Sequence, residues 1–165
     1  MNGHSIRIRT FYPHLAKARP PRSNRAMSDP YDLKRFLDAQ AGVIDAVRAE
    51  LGRGRKASHW MWFVFPQVRG LGHSATAQRY AISSPDEARA YAAHPVLGAR
   101  LRECTALVLA IETRSAREIF GAPDDLKFHS SMTLFAHAVP GEPLWHRALE
   151  KFFAGREDAA TLERI

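Results

Sequence analysis

Apolar residues recur three, four or seven positions apart along most of the chain after residue 28, which is the spacing of one helix face. The first such stripe predicts a helix of about 20 residues. Asp29 and Pro30 form its start pattern, and Gly52 and Gly54 form its end. The apolar positions of this stripe are Leu33, Phe36, Leu37, Ile44, Val47 and Leu51.

Later helix starts are marked mainly by serine and proline, which favour the cap and the first helical position. The predicted starts are Ser58 (helix to Phe65), Ser74 (to Ile82), Ser84 with Glu87 at the capping-box position, His94 with Pro95 (the central helix, to Ile111), Ser115 (a short turn to Gly121), Pro123 (to about Ala138) and Pro143 (to about Phe153), with a last short helix around Leu162.

This succession predicts an all-α fold, a compact single-domain multihelical bundle of about six to eight helices with no sheet. The apolar run from Trp60 to Phe65 is also compatible with a buried strand, because short apolar runs do not decide between helix and strand. The sequence offers no convincing partner strand, which favours a helix for this run.

The composition is that of one globular domain. Of 165 residues, 45% are hydrophobic and 25% are charged, which is enough to form one core. No apolar run is long enough to span a bilayer, so we expect no membrane partner. The single cysteine, Cys104, excludes an internal disulfide and fits a cytoplasmic location.

The net charge of +7 is concentrated in residues 1–27, which contain six Lys or Arg residues and no acid. Residues 28–165 keep 18 bases and 17 acids, so this part has no electrostatic footprint for duplex DNA. Three interpretations of residues 1–27 stay open: a disordered tail, an arm for RNA or an anionic surface, or a mis-called start upstream of Met27. Nucleic-acid binding is therefore expected only through this basic tail.

Six short motifs in residues 29–165 stand out by their composition. They are 58–67 (SHWMWFVFPQ), 69–72 (RGLG), 94–98 (HPVLG), 119–121 (IFG), 123–127 (PDDLK) and 130–135 (SSMTLF). Together they resemble the bacterial domain-of-unknown-function family eighteen-ten, whose members are sometimes mislabelled calpastatin. The resemblance implies a compact multihelical cytosolic domain and no known activity.

The loop 69–74 is the first candidate ligand site, because it leads directly into a predicted helix. A helix N-terminus presents free N–H groups and partial positive charge, which can hold a phosphate or a carboxylate. Gly70 and Gly72 let the backbone approach a ligand closely. Arg69 can add a bidentate contact, and Ser74 begins the helix. A plain turn with a serine cap is the alternative.

Aromatic and polar residues lie close to this loop in the sequence. Trp60 and Trp62 can stack on a base or a sugar, or pack in the core. His59 is the candidate for proton transfer, and Gln67 for a ligand contact. His94, held extended by the proline that follows it, is a further candidate.

Lys127 and Ser131 are candidate ligand contacts on the helix predicted after Pro123, where they share a face with Ser130. A solvated polar face, or hydrogen bonds between helices, is the alternative. Cys104 lies in an apolar stripe and is expected in the core. The histidine spacing and the single cysteine predict no metal site, and no motif predicts a cofactor.

These residues lead to two hypotheses of function. The first is binding, with or without processing, of a small anionic ligand, nucleotide- or ADP-ribose-like, in a pocket beside residues 58–74. The alternative is a non-enzymatic protein-interaction module that uses the aromatic cluster. A recessed cleft favours the first and a flat apolar patch the second. A third interpretation places all the aromatic side chains in the core. The sequence predicts neither the oligomeric state nor whether the protein is an enzyme.

Overall fold

A computed structural model of the chain describes residues 28–165, and within that range it contains ten α-helices and no β-sheet. This confirms the all-α class, with more helices than the six to eight expected. The interpretations of the basic tail concern residues 1–27 and lie outside the described residues. The helices are α1 (Lys34–Ala41), α2 (Ile44–Gly52), α3 (Met61–Val64), α4 (Ala75–Arg79), α5 (Pro85–Ala93), α6 (Leu97–Leu109), α7 (Ala116–Phe120), α8 (Asp124–Ala138), α9 (Pro143–Phe153) and α10 (Ala159–Leu162).

The predicted first helix is two helices, so that prediction was wrong in its length. α1 ends before Gly42, a residue with low helix propensity, and α2 starts two residues later. The cap is also different. The two carboxylate oxygens of Asp29 accept hydrogen bonds from the backbone N–H groups of Leu33 and Lys34, at 2.7 and 2.9 Å. Asp29 therefore caps a helix that begins after Leu33 and not at Pro30.

Ser58 does not cap α3, because its hydroxyl is bonded elsewhere. Ser58 Oγ donates to Oε1 of Glu50 at 2.6 Å, and Oε2 of Glu50 accepts from the backbone N–H of Ala57 at 2.8 Å. Only Met61–Val64 is helical in this segment. The buried carboxylate thus fixes the connection between α2 and α3, and the Ser58 cap that the sequence predicts does not form.

The other predicted serine caps are present. Ser74, Ser84 and Ser115 each accept a hydrogen bond from a backbone N–H three residues later. α4 nevertheless ends at Arg79 and not at Ile82, because the backbone of Ile82 pairs with the preceding loop. Its N–H donates to the carbonyl of Gln67, and its carbonyl accepts from the N–H of Arg69, both at 2.8 Å. This isolated parallel bridge holds the loop 67–69 beside the end of α4.

The helix at the centre of the core is α8, whereas the sequence suggested the helix now seen as α6. α8 packs against α3, α5, α7, α9 and α10. Seven consecutive residues, Ser130–Ala136, are buried. Because partners surround α8 on several sides, it has no single apolar stripe and mixes serine and threonine with large apolar residues. No helix within residues 28–165 is both long and apolar enough to cross a bilayer.

Aromatic side chains from three elements meet at Phe128 of α8. The ring of Phe128 lies 5.0 Å from that of Phe65 in an edge-to-face arrangement and 4.7 Å from that of Phe120 in a stacked one. Trp60, Met61 and Val64 are also buried. The aromatic segment after Ser58 therefore anchors α3 in the core, with Trp62 as the aromatic residue that is only half-buried.

Candidate functional site

A cleft with a volume of about 450 Å³ opens between the segment 62–77, the start of α8 and the start of α10. We call it the Trp62 cleft. Met61, Phe63 and Val64 are buried, so Trp62 is the residue of α3 that stays half-buried, and it forms part of the cleft wall. The lining residues are Trp62, Gln67, Leu71, Gly72, His73, Ser74, Ala77, Pro123, Leu126, Lys127, Ser130, Asp158 and Ala160.

In this cleft the ammonium group of a lysine lies over the face of an aromatic ring. Nζ of Lys127 is 4.6 Å from the centroid of the Trp62 ring, within the range of a cation–π interaction. Lys127 is one turn into α8, and its ammonium group also donates to Oδ1 of Asp124 at 2.7 Å. The side chain of Lys127 is 20% exposed, so its position is fixed while its charge remains accessible from the cleft.

Asp124 is shared by two lysines. Its Oδ2 lies 2.7 Å from Nζ of Lys56, and its Oδ1 lies 2.7 Å from Nζ of Lys127. Burial alone would raise the pKa of Asp124, but the hydrogen bonds from Lys127 and Lys56 lower this pKa below its usual value. Two ammonium groups therefore share one ionised carboxylate, which leaves a net positive charge in this triad.

The wall opposite Lys127 is formed by the loop before α4. Gly72 allows a close approach there, since a Cβ atom at this position would lie 2.5 Å from the Cβ of Ala77. The hydroxyl of Ser74 accepts the N–H of Ala77 at 3.1 Å. α4 has five residues, and part of its first turn is already capped by Ser74. Ser74 and Gln67 thus contribute polar groups to the cleft, and the helix terminus adds little charge.

The third wall joins α8 to the C-terminal segment. Ser130 Oγ donates to Oδ2 of Asp158 at 3.0 Å, and the same oxygen accepts from the backbone N–H and the hydroxyl of Thr161, at 3.0 and 2.6 Å. Asp158 is the N-cap of α10. This carboxylate brings negative charge to the cleft, but three donors already satisfy one of its oxygens.

Three predicted site residues lie outside the Trp62 cleft. Trp60 is 1% exposed, and its indole N–H donates to Oε2 of Glu50 at 2.8 Å, so the ring belongs to the core. His59 is exposed and does not line the cleft. Ser131 is fully buried on the core side of α8, whereas Ser130 faces the cleft. The structure therefore leaves Trp60, His59 and Ser131 out of this site.

Two further predicted residues line other depressions. Arg69 is exposed in a separate polar cleft beside Arg35 and Glu87. His94 borders an apolar groove next to Leu37, and its Nδ1 accepts from the backbone N–H of Val96 at 3.1 Å. His94 therefore acts as the cap of α6. The predicted residues brought together are Trp62, Gln67, Gly72, Ser74 and Lys127, and those not lining the cleft are His59, Trp60, Arg69, Gly70, His94 and Ser131.

The profile of a family described as "Protein of unknown function (DUF1810)" matches residues 30–165. The chain belongs to the DUF1810 family. It is 56% identical to the conserved hypothetical protein Rv1873 from Mycobacterium tuberculosis, whose crystal structure superposes with a TM-score of 0.81. That match covers 82% of this chain and 96% of the mycobacterial chain. No curated protein gave a match.

The region matched by the DUF1810 family contains every lining residue of the Trp62 cleft. Asp158, Ser130 and Leu126 belong to this lining, and the sequence analysis did not assign them to a ligand site. The sequence could have predicted Asp158 as the start of a helix, since aspartate is a preferred N-cap residue. Its place in the same cleft as Trp62 depends on how α10 docks on α8, which no local pattern predicts.

Cys104 does not line the Trp62 cleft. The thiol of Cys104 is fully buried on α6, and burial, with a smaller effect of the Glu103 charge, raises its pKa to about 12. Residues 28–165 contain no group of three or more His, Cys, Asp or Glu side chains placed to bind a metal ion. The charged chemistry of the Trp62 cleft therefore comes from Lys127 and Asp158, with His73 as a third titratable group.

Proposed function

We propose that this DUF1810 protein binds a small anionic ligand that carries a planar ring, nucleotide- or ADP-ribose-like, in the Trp62 cleft. The observation that carries the proposal is the Lys127 ammonium group 4.6 Å from the centroid of the half-buried Trp62 ring. An aromatic face suits a base or a nicotinamide, and the lysine suits a phosphate. The two contacts together select a ligand with both parts.

Charge supports an anion at this end of the cleft. Lys127 and Lys56 share one carboxylate, that of Asp124, so the triad keeps a net positive charge. The side chain of Lys127 is 20% exposed, so solvent screens its attraction to a bound anion less than it would for a fully exposed lysine. Asp158 lies on another wall, so we expect the phosphate to bind on the Lys127 side, away from that carboxylate.

The volume and the polar groups fit a ligand of this size. A cleft of about 450 Å³ lies within the range of roughly 300–1,000 Å³ that is usual for small-molecule sites. Gln67 and Ser74 provide hydrogen-bonding groups opposite the charged wall, where sugar hydroxyls would lie. We propose binding and assign no turnover, because His59, the candidate for proton transfer, does not line the cleft.

A protein-interaction module is the second candidate, and one observation favours it. Leu126 is 61% exposed at the rim of the Trp62 cleft and is the most exposed large apolar residue of the described chain. Trp60, Phe63 and Phe65 of the aromatic cluster are buried, so they are not available to form a groove for a protein partner. The ligand proposal depends on Lys127 and Trp62, whereas a protein-interaction surface would depend on Leu126.

Calorimetric titration of the full chain with ADP-ribose, ADP and inorganic phosphate tests the proposal. Lys127→Gln should weaken ADP binding by about tenfold or more, because a charge-assisted contact is lost. Trp62→Leu should weaken ADP-ribose binding by about fivefold or more, as loss of ring stacking does, and should change phosphate binding little. The matched control is Lys34→Gln, which removes an exposed lysine that also pairs with an aspartate.

The outcome that overturns the proposal is equally specific. It is rejected if none of the three compounds binds, or if Lys127→Gln and Lys34→Gln have the same small effect on ADP affinity. Melting temperatures measured alongside show whether a variant has lost its fold instead of its ligand. We further infer a bacterial cytoplasmic protein, since the mycobacterial relative is 56% identical and the one cysteine is buried and unpaired.

A further inference from the structure

A second cleft, with a volume of about 460 Å³, lies between the end of α2 and α7. We call it the basic cleft. Its lining contains four cationic side chains and one acidic one, although residues 28–165 as a whole are almost neutral. The charged lining residues are Arg55, Lys56, Arg114, Arg117 and Glu118.

Most of this positive charge has no acidic partner. Among residues 28–165, no ion pair involves Arg55, Arg114 or Arg117. Glu118 is engaged in the capping box of α7, where its Oε2 accepts from the N–H and the hydroxyl of Ser115, both at 2.8 Å. Like charges held in one cleft focus a positive potential that attracts anions.

The backbone of the basic cleft is fixed by hydrogen bonds between its two sides. The N–H of Lys56 donates to the carbonyl of Ile119 at 2.7 Å. One guanidinium nitrogen of Arg114 donates to the carbonyl of Gly54 at 3.0 Å. Nζ of Lys56 is paired with Asp124, so the unpaired positive charge of the basic cleft comes from its arginines. The exposed side chains of Arg55 and Arg117 remain free to contact a ligand.

We propose that the basic cleft is a second anion site that binds a run of two or three phosphate groups, free or as the phosphate chain of a nucleotide. Arginine forms paired hydrogen bonds with phosphate oxygens, and several guanidinium groups match the charge of a polyphosphate better than that of one phosphate. The proposal does not depend on the ligand of the Trp62 cleft, because the two clefts share no lining residue.

Calorimetric titration of the full chain with inorganic tripolyphosphate tests this site. Arg55→Gln and Arg117→Gln should each weaken binding by about tenfold or more. The control is Arg147→Gln, which removes the same charge from an exposed residue of α9 outside the cleft. Residues 1–27 carry six bases in every variant, so their contribution cancels in the comparison. Repeating the titration in Lys127→Gln separates this site from the Trp62 cleft, because that variant removes the lysine expected to bind phosphate there.

The same titration with ATP, AMP and a single-stranded RNA distinguishes the sources of phosphate. ATP and tripolyphosphate should bind with similar affinity, and AMP more weakly. The proposal is overturned if tripolyphosphate does not bind, or if all three arginine variants weaken it equally. It is also overturned if the RNA binds more tightly than tripolyphosphate and loses affinity in Arg117→Gln, since the cleft would then follow a nucleic-acid backbone.

Discussion

The indole N–H of Trp60 donates a hydrogen bond of 2.8 Å to Oε2 of Glu50, and both side chains are buried. The same carboxylate accepts the backbone N–H groups of Ala57 and Ser58 and the hydroxyl of Ser58. Glu50, near the end of α2, thus holds residues 57–60 in place through hydrogen bonds to Ala57, Ser58 and Trp60. Trp62 follows Trp60 by two residues, so the anchoring of Trp60 by this carboxylate also helps to position Trp62 in the wall of the cleft.

Replacing Glu50 by Gln should lower the free energy of unfolding by about 2–4 kcal/mol. The amide group keeps one acceptor oxygen and turns an N–H₂ donor towards groups that are themselves donors. Chemical denaturation measures the change, with Glu150→Gln on the exposed face of α9 as the control. A loss no larger than that of the control would show that the network contributes little to stability.

Glu50 should also make the folded state sensitive to acid. Burial alone would raise the pKa of this carboxyl, but the hydrogen bonds from Ala57, Ser58 and Trp60 outweigh it and lower the pKa from 4.5 to about 2. A depressed pKa contributes stability above pH 4.5, and this contribution is lost as the pH falls towards 2.

Loss of this contribution should appear as destabilisation of the folded state as the pH falls from 4.5 towards 2. Denaturation of the wild type and of Glu50→Gln across this pH range measures it. The difference in unfolding free energy between the two proteins should shrink as the pH falls, and a constant difference would contradict the assignment.

Gly98→Ala should destabilise the protein by roughly 1–3 kcal/mol, because α5 and α6 cross at this glycine. A Cβ atom there would lie 2.0 Å from the carbonyl oxygen of Ala92. Gly42→Ala is the matched control: no atom lies within 4 Å of its added Cβ, and its φ of −94° suits alanine. We expect Gly42→Ala to be neutral or slightly stabilising, since it restricts the unfolded chain. Denaturation midpoints that move in the same direction for both variants would contradict this view of the crossing.

Leu101→Ala should reduce the unfolding free energy by about 2–5 kcal/mol, the usual effect of a buried truncation. Leu101 is 1% exposed on the inner face of α6. Leu107 belongs to the same predicted stripe but is only half-buried, so Leu107→Ala should have a smaller effect. Equal losses for the two variants in thermal denaturation would show that burial does not determine how much each side chain contributes to stability.

Cys104 should not react with thiol reagents while the protein is folded. The side chain has no exposed surface, and a pKa of about 12 keeps the thiol protonated at neutral pH. Labelling in denaturant should be rapid and complete. Rapid labelling under native conditions, with an unchanged melting temperature, would mean that α6 opens locally or that the thiol is accessible.

Local patterns predicted the helix starts that depend on a side chain and its own next turn. The capping box of Ser115 and Glu118 lies within four residues, and the structure contains it. The same pattern at Ser84 was only partly realised. The carboxylate of Glu87 does not accept the backbone N–H of Ser84 and instead accepts from the hydroxyl of Ser83 and from Arg35 of α1, at 2.6 Å in each case. One oxygen of Glu87 thus binds the neighbouring Ser83, and the other binds Arg35, a partner distant in sequence.

The candidate site shows the same division. Trp62, Gln67, Gly72, Ser74 and Lys127 were proposed from the sequence, because aromatic, glycine and lysine residues in short motifs indicate a ligand site. Periodicity could not separate Trp60 from Trp62, since both lie in one apolar run. The Glu50 carboxylate decides between them by holding the Trp60 indole in the core, while Trp62 faces Lys127.

By itself, the sequence determined the helical class, most helix starts and the chemical types that a ligand site would use. These follow from backbone hydrogen bonding and apolar periodicity, which act within a few residues. Tertiary structure alone decided that α8 lies at the centre, that Asp158 and Trp62 line one cleft, and that Arg55 lies beside the arginines around α7. These relationships arise from the docking of helices far apart in the chain, where total burial and charge, and not local propensity, select the arrangement.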